Sequence, residues 1–223
     1  MRTHAPAQEV LLAGATGLIG RELARLLLAQ IPPVRLRALV RRMPGRADER
    51  VQWQTVDFTH LPALPPAEEA YCGLGTTIRS AGSQQAFRAV DLDAVLAFAR
   101  AAQAAGVQRF AVVSAMGANA RSPNFYSRVK GEMEAALGTL GFDSLVIARP
   151  SLLAGDRAAL GQPARSGEKL ALWLTGPIAG LIPKRVRPIE AATVARGMIA
   201  ALRQRRPGVR IVDSGELQDL GND

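Results

Sequence analysis

The chain has 223 residues and 48% of them are hydrophobic, which is enough to form the core of one α/β domain. We therefore expect a single folding unit over residues 1–223. Its 28 lysines and arginines outnumber its 19 aspartates and glutamates, which gives a formal charge of +9, but the arginines are scattered along the chain. No nucleic-acid partner is expected, because few aromatic side chains are available to stack on bases and the sequence contains no recognisable motif of a nucleic-acid-binding module.

The chain contains one cysteine and two histidines. The single cysteine, Cys72, excludes an internal disulfide, and these three residues do not form a zinc-binding set, so no metal is expected. The first nine residues lack the apolar core of a signal peptide, and no uninterrupted apolar run of about 18 residues occurs, so no membrane partner is expected. This composition fits a reduced, cytoplasmic protein.

Apolar runs and helical segments alternate along the first two thirds of the chain. Short apolar runs predict strands at 10–14, 34–40, 51–56, 69–74, 107–114 and 144–148. Helical spacing of apolar residues predicts helices at 17–30, 84–105 and 123–140, the second of them ending at Gly106. Strands that alternate with long helices predict an α/β fold, a doubly wound parallel sheet of the Rossmann type. Right-handed crossovers place the carboxyl ends of all its strands along one edge.

The pattern changes after Arg149-Pro150. Residues 151–168 are typical of a loop, and residues 169–182 are apolar on most sides, with a break at Gly176-Pro177. We interpret 151–185 as a small C-terminal substrate lobe or lid, and a subunit contact is the alternative for its apolar part. An amphipathic helix at 189–203 and a last strand at 209–212 complete the prediction.

A glycine-rich loop joins the first predicted strand to the first predicted helix. Its sequence is Gly14-Ala-Thr16-Gly17-Leu18-Ile19-Gly20. At this position the spacing predicts a dinucleotide phosphate site, because a pyrophosphate must approach backbone amides at a helix amino terminus. The third glycine would allow close packing of helix and strand. A glycine triplet could be a tight turn without a ligand, but its placement favours the nucleotide site.

The second predicted strand ends at Arg41 and Arg42, which we call the arginine pair. An acidic residue at this strand end would bind the ribose 2′-hydroxyl of NAD, whereas two guanidinium groups suit a 2′-phosphate. The sequence therefore favours NADP(H), with two ordinary surface arginines as the alternative. Asp57, after the third strand, is placed to accept from the adenine amino group, or else to cap the following turn.

A second glycine-containing loop, Cys72-Gly-Leu74-Gly75-Thr76-Thr77, follows the fourth predicted strand. Its glycines permit close backbone approach to the ribose and phosphates of a coenzyme. We therefore assign Leu74, Gly75 and Thr76 to the cofactor site.

A serine, a tyrosine and a lysine follow one another on the next two predicted elements. Ser114 ends the strand at 107–114, and Tyr126 and Lys130 are four residues apart on the following helix, which places both on one face. A nearby ammonium favours the phenolate and makes the tyrosine a usable proton donor and acceptor. We interpret the three as a carbonyl-reduction site. The alternative is an amphipathic helix that happens to carry a Tyr/Lys pair.

Together these motifs resemble an atypical short-chain dehydrogenase/reductase. Within that family, Cys72-Gly-Leu-Gly-Thr-Thr, Val90-Asp91, Lys130-Gly-Glu-Met-Glu134 and Arg165-Ser-Gly-Glu168 are similar to the Tat-interacting-protein oxidoreductase subgroup. The resemblance implies an NADP-dependent oxidoreductase of a small-molecule carbonyl substrate. It also implies coenzyme contacts at Tyr126, Lys130, Arg149, Pro150, Leu153 and Arg165. An NADP(H)-binding redox sensor remains the alternative function, and a homodimer is a possible state of association.

Overall fold

The computed structural model of the protein describes residues 8–154 and 183–222. The strands are β1 Glu9–Ala13, β2 Arg35–Val40, β3 Val51–Thr55, β4 Glu69–Cys72, β5 Arg109–Val113, β6 Ser144–Arg149, β7 Leu153–Ala154, β8 Ile189–Glu190 and β9 Gly208–Asp213. The helices are α1 Leu18–Leu28, α2 Ile78–Ala81, α3 Gln84–Arg88, α4 Val95–Ala104, α5 Phe125–Gly138, α6 Ala191–Arg203 and α7 Ser214–Asn222. A π-helical turn, Ala89–Ala94, joins α3 to α4.

Seven of the strands form one parallel sheet in the order β3-β2-β1-β4-β5-β6-β9. The chain moves outward from β1 to β3 on one side and from β4 to β9 on the other. The strand order therefore reverses between β1 and β4, and in open sheets of this kind ligands bind at such a point, outside the carboxyl ends of the strands. The predicted α/β Rossmann class is confirmed.

Helices cover both faces of the sheet, and each face has its own apolar core. Side chains alternate along β1, so that Leu11 packs with one core while Val10 and Leu12 pack with the other. The first core contains residues of α3, α4 and α5, and the second contains residues of α1, α6 and α7. Burial on both faces explains why the central strands appear in the sequence as continuous apolar runs.

The structure differs from the sequence prediction in several connections. The helix expected at 84–105 contains the π-helical turn, and the loop expected before it contains α2. The first two residues of the helix expected at 189–203 instead form β8, which pairs with β7 apart from the main sheet. The C-terminal helix α7 was not predicted. Most of the lobe or lid expected at 151–185 lies outside the described residues, so that assignment stays a prediction.

Candidate active site

The glycine loop between β1 and α1 is shaped by close backbone packing at its first and third glycines. Gly14 has φ of +83°, and a Cβ on it would lie 2.5 Å from the carbonyl carbon of Gly73. A Cβ on Gly20 would lie 1.9 Å from the oxygen of Gly14, so this helix residue also has to lack a side chain. At Gly17, in contrast, the atom nearest to an added Cβ would be the Gly14 oxygen, at 3.4 Å. Gly17 therefore keeps open space beside the amino terminus of α1.

A cavity of about 270 Å³ opens beside this loop, at the carboxyl edge of the sheet where the strand order reverses. Many predicted site residues line it, namely Gly17, Leu18, Ile19, Leu74, Gly75, Thr76, Ser114, Tyr126, Lys130, Pro150 and Leu153. The glycine loop therefore shares one cavity with the predicted serine, tyrosine and lysine. No side chain caps the amino terminus of α1 at Gly17, so the helix presents backbone amides that suit a pyrophosphate.

A second cavity, of about 420 Å³, is lined by Thr16 and the arginine pair. Both arginine side chains are exposed and lie beside the phosphate loop, since Thr16 belongs to that loop. Their guanidinium groups can each donate several hydrogen bonds to a phosphate. The residues present therefore fit a dinucleotide whose ribose carries an additional phosphate.

Lys130 forms a buried ion pair with an aspartate that the sequence did not assign to the site. Its Nζ lies 2.7 Å from Asp91 Oδ1, and the two side chains are 4% and 0% exposed. The ammonium is close enough to donate a hydrogen bond to that oxygen, so charge and hydrogen bonding together hold the pair. The other carboxylate oxygen accepts from the backbone N–H of Thr76 at 2.8 Å. Asp91 therefore ties the lysine to the loop after β4.

The pairing determines the ionisation of Lys130. Burial by itself lowers the pKa of the ammonium, but the charges of Asp91 and Tyr126 outweigh burial and raise it. Lys130 is therefore charged at neutral pH. Because Asp91 compensates that charge, the pair carries no net charge beside Tyr126, and its electrostatic effect on the phenolate is smaller than that of a lone ammonium.

Tyr126 is held at the start of α5. Asn124 caps this helix by accepting from the backbone N–H of Ser127 at 3.1 Å, which places Tyr126 in the first turn and Lys130 one turn later. The tyrosine ring packs against the buried ring of Phe87, with centroids 5.5 Å apart. The half-buried side chain lines the cavity, so its position fits a proton donor at this edge of the sheet.

Ser114 follows β5 and lines the cavity, but its hydroxyl group is engaged elsewhere. Ser114 Oγ donates to Glu134 Oε1, and Arg149 Nε donates to the same oxygen at 3.0 Å. Arg149 Nη2 donates to the other oxygen, Oε2. To polarise a carbonyl group in such a site, the serine would have to release its hydrogen bond to Glu134.

Some predicted cofactor residues do not line either cavity. Gly14 and Gly20 shape the loop from behind, as their packing shows. The Asp57 carboxylate caps a turn, because its Oδ1 accepts from both the backbone N–H and the hydroxyl of Thr59. Arg149 lines a separate groove, together with Glu134 and other residues of α5 and β9. Arg165 lies outside the described residues.

The structure adds residues to the site that sequence reasoning missed, chiefly Asp91 and Glu134. Both belong to stretches on which the family resemblance rested, but an acidic residue on a helix is usually solvent-exposed. Glu134 lies four residues after Lys130 on α5, and that spacing was the available signal. No sequence pattern marks the π-helical turn that contains Asp91. Thr77 and Ser80, in and after the loop, also line the cavity.

A comparison with protein families assigns the chain to a family. The NAD(P)H-binding family matches residues 14–169, which include the phosphate loop and the Tyr/Lys helix. The chain belongs to this NAD(P)H-binding family. The Rossmann assignment and the expectation of a nicotinamide coenzyme are confirmed at that level.

Similar proteins cover nearly the whole chain. Rat protein HTATIP2 is 33% identical over 97% of this chain and 90% of its own length. The protein FMP52 of Candida albicans, named as mitochondrial, is 30% identical over 92% of this chain and 90% of its own. The subgroup resemblance seen in the sequence is therefore confirmed.

Among solved structures, a short-chain dehydrogenase/reductase family oxidoreductase from Burkholderia thailandensis has a TM-score of 0.65 at 18% identity, over 96% of this chain and 94% of its own. MoeE5 in complex with UDP-glucuronic acid and NAD has a TM-score of 0.69 at 18% identity, over 93% and 76% of the two chains. At these identities the likeness concerns the fold alone.

The relatives correct one expectation. FMP52 of Candida albicans and fmp52 of Emericella nidulans, the latter 32% identical over 76% of this chain and 75% of its own length, are both named mitochondrial. The cytoplasmic location expected from the composition is therefore wrong. That expectation rested on the low cysteine content, which suits a mitochondrial protein equally well. Across the described residues, no helix is both long and apolar enough to cross a membrane.

Proposed function

We propose that the protein is an NADPH-dependent oxidoreductase that reduces a small-molecule carbonyl compound. The observation that carries the proposal is the shared cavity, in which Tyr126 and Lys130 lie beside the glycine loop. Family membership supports a nicotinamide coenzyme, and the cavity formed by Thr16 and the arginine pair supports a preference for NADPH over NADH.

The chain's own residues would hold the coenzyme and manage the proton. The glycine loop and the amino terminus of α1 would bind the pyrophosphate, and the arginine pair would bind the 2′-phosphate. Lys130, fixed by Asp91, would donate hydrogen bonds to the nicotinamide ribose. The side of the cavity formed by Val113, Ala115 and Leu152 is apolar and suits an uncharged carbonyl compound.

Bound in this way, NADPH would supply the hydride that reduces the carbonyl carbon. The Tyr126 hydroxyl donates its proton to the carbonyl oxygen, so that the C=O group becomes an alcohol. Solvent then returns a proton to the tyrosine. Each turnover therefore consumes one NADPH and one proton.

The test is loss of NADPH absorbance with a panel of neutral aldehydes and ketones, comparing the wild type with Tyr126→Phe. This variant keeps the ring that packs on Phe87 and removes the proton donor, so turnover should fall by about 10²-fold or more while NADPH binding persists. Ser127→Ala, next in the same helix, is the matched control and should keep wild-type turnover. Equal activity of wild type and Tyr126→Phe would refute the assignment.

A second candidate function is a redox-sensing protein whose partner affinity changes with the state of its bound coenzyme. One observation favours it, namely that the Ser114 proton is taken by Glu134 rather than left for a substrate. A sensor needs the coenzyme site but no proton donor. It would show tight NADPH binding with no turnover on any of the carbonyl probes.

A further inference from the structure

Three side chains from three different elements meet beside the cavity, and we call them the Glu134 network. Ser114 follows β5, Glu134 lies on α5, and Arg149 ends β6. Glu134 is 7% exposed and Ser114 is 4% exposed. Both oxygens of the Glu134 carboxylate accept from Arg149, and one of them also accepts from Ser114.

The hydrogen-bond capacities of these groups determine the direction of each contact. A guanidinium has only donors, so the two bonds from Arg149 require a carboxylate that accepts at both oxygens. That carboxylate has no proton to give to Ser114. A serine hydroxyl has a single proton, and here that proton points at Glu134. Only the lone pairs of Ser114 Oγ are left to face the cavity.

We propose that Glu134 is a positioning residue that fixes Ser114 as a hydrogen-bond acceptor toward the substrate, so that the site prefers carbonyl compounds with a hydroxyl or amide donor beside the reacting carbonyl. This rests on the proposed function. Tyr126 is then the group that donates to the carbonyl oxygen. Ser114 instead accepts from the neighbouring donor and orients the substrate against the tyrosine.

A matched pair of ketones isolates this donor. Hydroxyacetone carries an O–H donor beside its carbonyl group, whereas methoxyacetone has a methyl group in place of that proton and cannot donate. For the wild type we expect kcat/KM to favour hydroxyacetone by about tenfold, the scale of leaving a buried acceptor unpaired, with the difference mainly in KM. In Ser114→Ala the two ketones should agree within about twofold, because the acceptor is gone.

Glu134→Ala provides the sharper variant because it removes the acceptor of the Ser114 proton. Arg149 only donates, so it cannot replace Glu134 as that acceptor. The Ser114 proton is then free to point into the cavity. The preference for hydroxyacetone should disappear or invert in this variant. A merely structural role for Glu134 would lower both rates together and leave their ratio unchanged.

Glu132→Ala is the matched control on the same helix. Glu132 pairs with Arg88 at 2.6 Å on a partly exposed face, away from Ser114. Its substitution should leave the hydroxyacetone preference at the wild-type value. A wild type that does not prefer hydroxyacetone, or a preference that survives in both Ser114→Ala and Glu134→Ala, would overturn the proposal.

If the wild type reduces neither ketone, the proposed function fails for these substrates, and urea unfolding tests the Ser114–Glu134 contact without any turnover. Hydrogen bonds to a charged group are stronger than those between neutral groups. Ser114→Ala should therefore reduce the folding equilibrium constant about fivefold more with Glu134 present than in the Glu134→Ala background. A coupling within twofold would show that the serine proton is not directed at Glu134, and the proposal would be rejected.

Discussion

The buried ion pair between Lys130 and Asp91 makes a quantitative prediction about stability. Removing one partner of such a pair leaves an uncompensated buried charge, at a cost of about 3–5 kcal/mol. Both side chains are at most 4% exposed, so solvent cannot compensate the remaining charge. Lys130→Met and Asp91→Asn should each lower the unfolding free energy by about that amount. For a chain of this size the loss corresponds to a melting temperature lower by roughly 6–20 °C.

The double variant separates charge pairing from packing. In Lys130→Met with Asp91→Asn, both charges are gone and the asparagine oxygen can still accept from the Thr76 N–H. The double variant should therefore be more stable than either single variant, with a coupling energy of about 3 kcal/mol or more. Urea denaturation followed by intrinsic fluorescence measures all four proteins. Losses that add within about 0.5 kcal/mol would refute the pairing argument.

The same pair predicts how stability depends on pH. In the wild type the pKa of Lys130 is raised above its ordinary value of 10.5, so its contribution is fully present below that pH and is lost only as pH rises through the folded-state pKa. In Asp91→Asn, the Asp91 charge no longer opposes burial, which lowers the lysine pKa, so the unfolded state binds more protons. The variant should therefore gain stability relative to wild type between about pH 7 and 10. A stability difference that does not change with pH would contradict this assignment.

Three further predictions concern the coenzyme site and the sheet. Replacing the arginine pair by alanine should weaken NADPH binding by about 1–3 kcal/mol with little change in NADH binding. Arg46→Ala is the control and should change the affinity for neither coenzyme, as titration of each protein with both coenzymes would show. Gly20→Ala places a Cβ 1.9 Å from the Gly14 oxygen, so it should lower the unfolding free energy by about 1–3 kcal/mol and remove most of the NADPH affinity. Gly45→Ala is the control, because a Cβ there would have nothing within 4 Å, and it should change neither stability nor NADPH affinity. Burial raises the pKa of Cys72 to about 12, so native protein should resist iodoacetamide at pH 8 and react only in urea.

The sequence predicted the elements that depend on local pattern. Apolar runs identified strands β1 to β6. The left-handed residue at the end of the long helix is Gly106, with φ of +87°. The phosphate loop was recognised because the backbone requires glycine at Gly14 and Gly20. All these signals are carried by neighbouring residues, so a single sequence is enough to show them.

The parts that were not predicted depend on contacts between distant residues. Asp91 lies in the π-helical turn and Lys130 lies on α5, so the two meet only through the tertiary fold. Ser114, Glu134 and Arg149 are likewise on three elements, and neither the direction of the serine proton nor the groove that holds the arginine is encoded in local spacing. The sequence thus predicted which residues line the cavity, but it did not predict the hydrogen-bond and ion-pair partners of those residues.

These partners also predict how fast the protein can act on a simple carbonyl. In many sites a lost donor to the reacting oxygen costs about 10²–10³ in rate, and here the Ser114 proton is directed at Glu134. Since typical enzymes turn over at about 10 s⁻¹, we expect a maximal rate near 0.01–0.1 s⁻¹ for ketones that lack a neighbouring donor. Single-turnover mixing of the NADPH-loaded protein with methoxyacetone measures the step directly. A rate near 10 s⁻¹ would show that Ser114 releases its proton to the substrate oxygen. A slow step, in contrast, would leave NADPH bound and reduced for long periods, and that property suits sensing as well as catalysis.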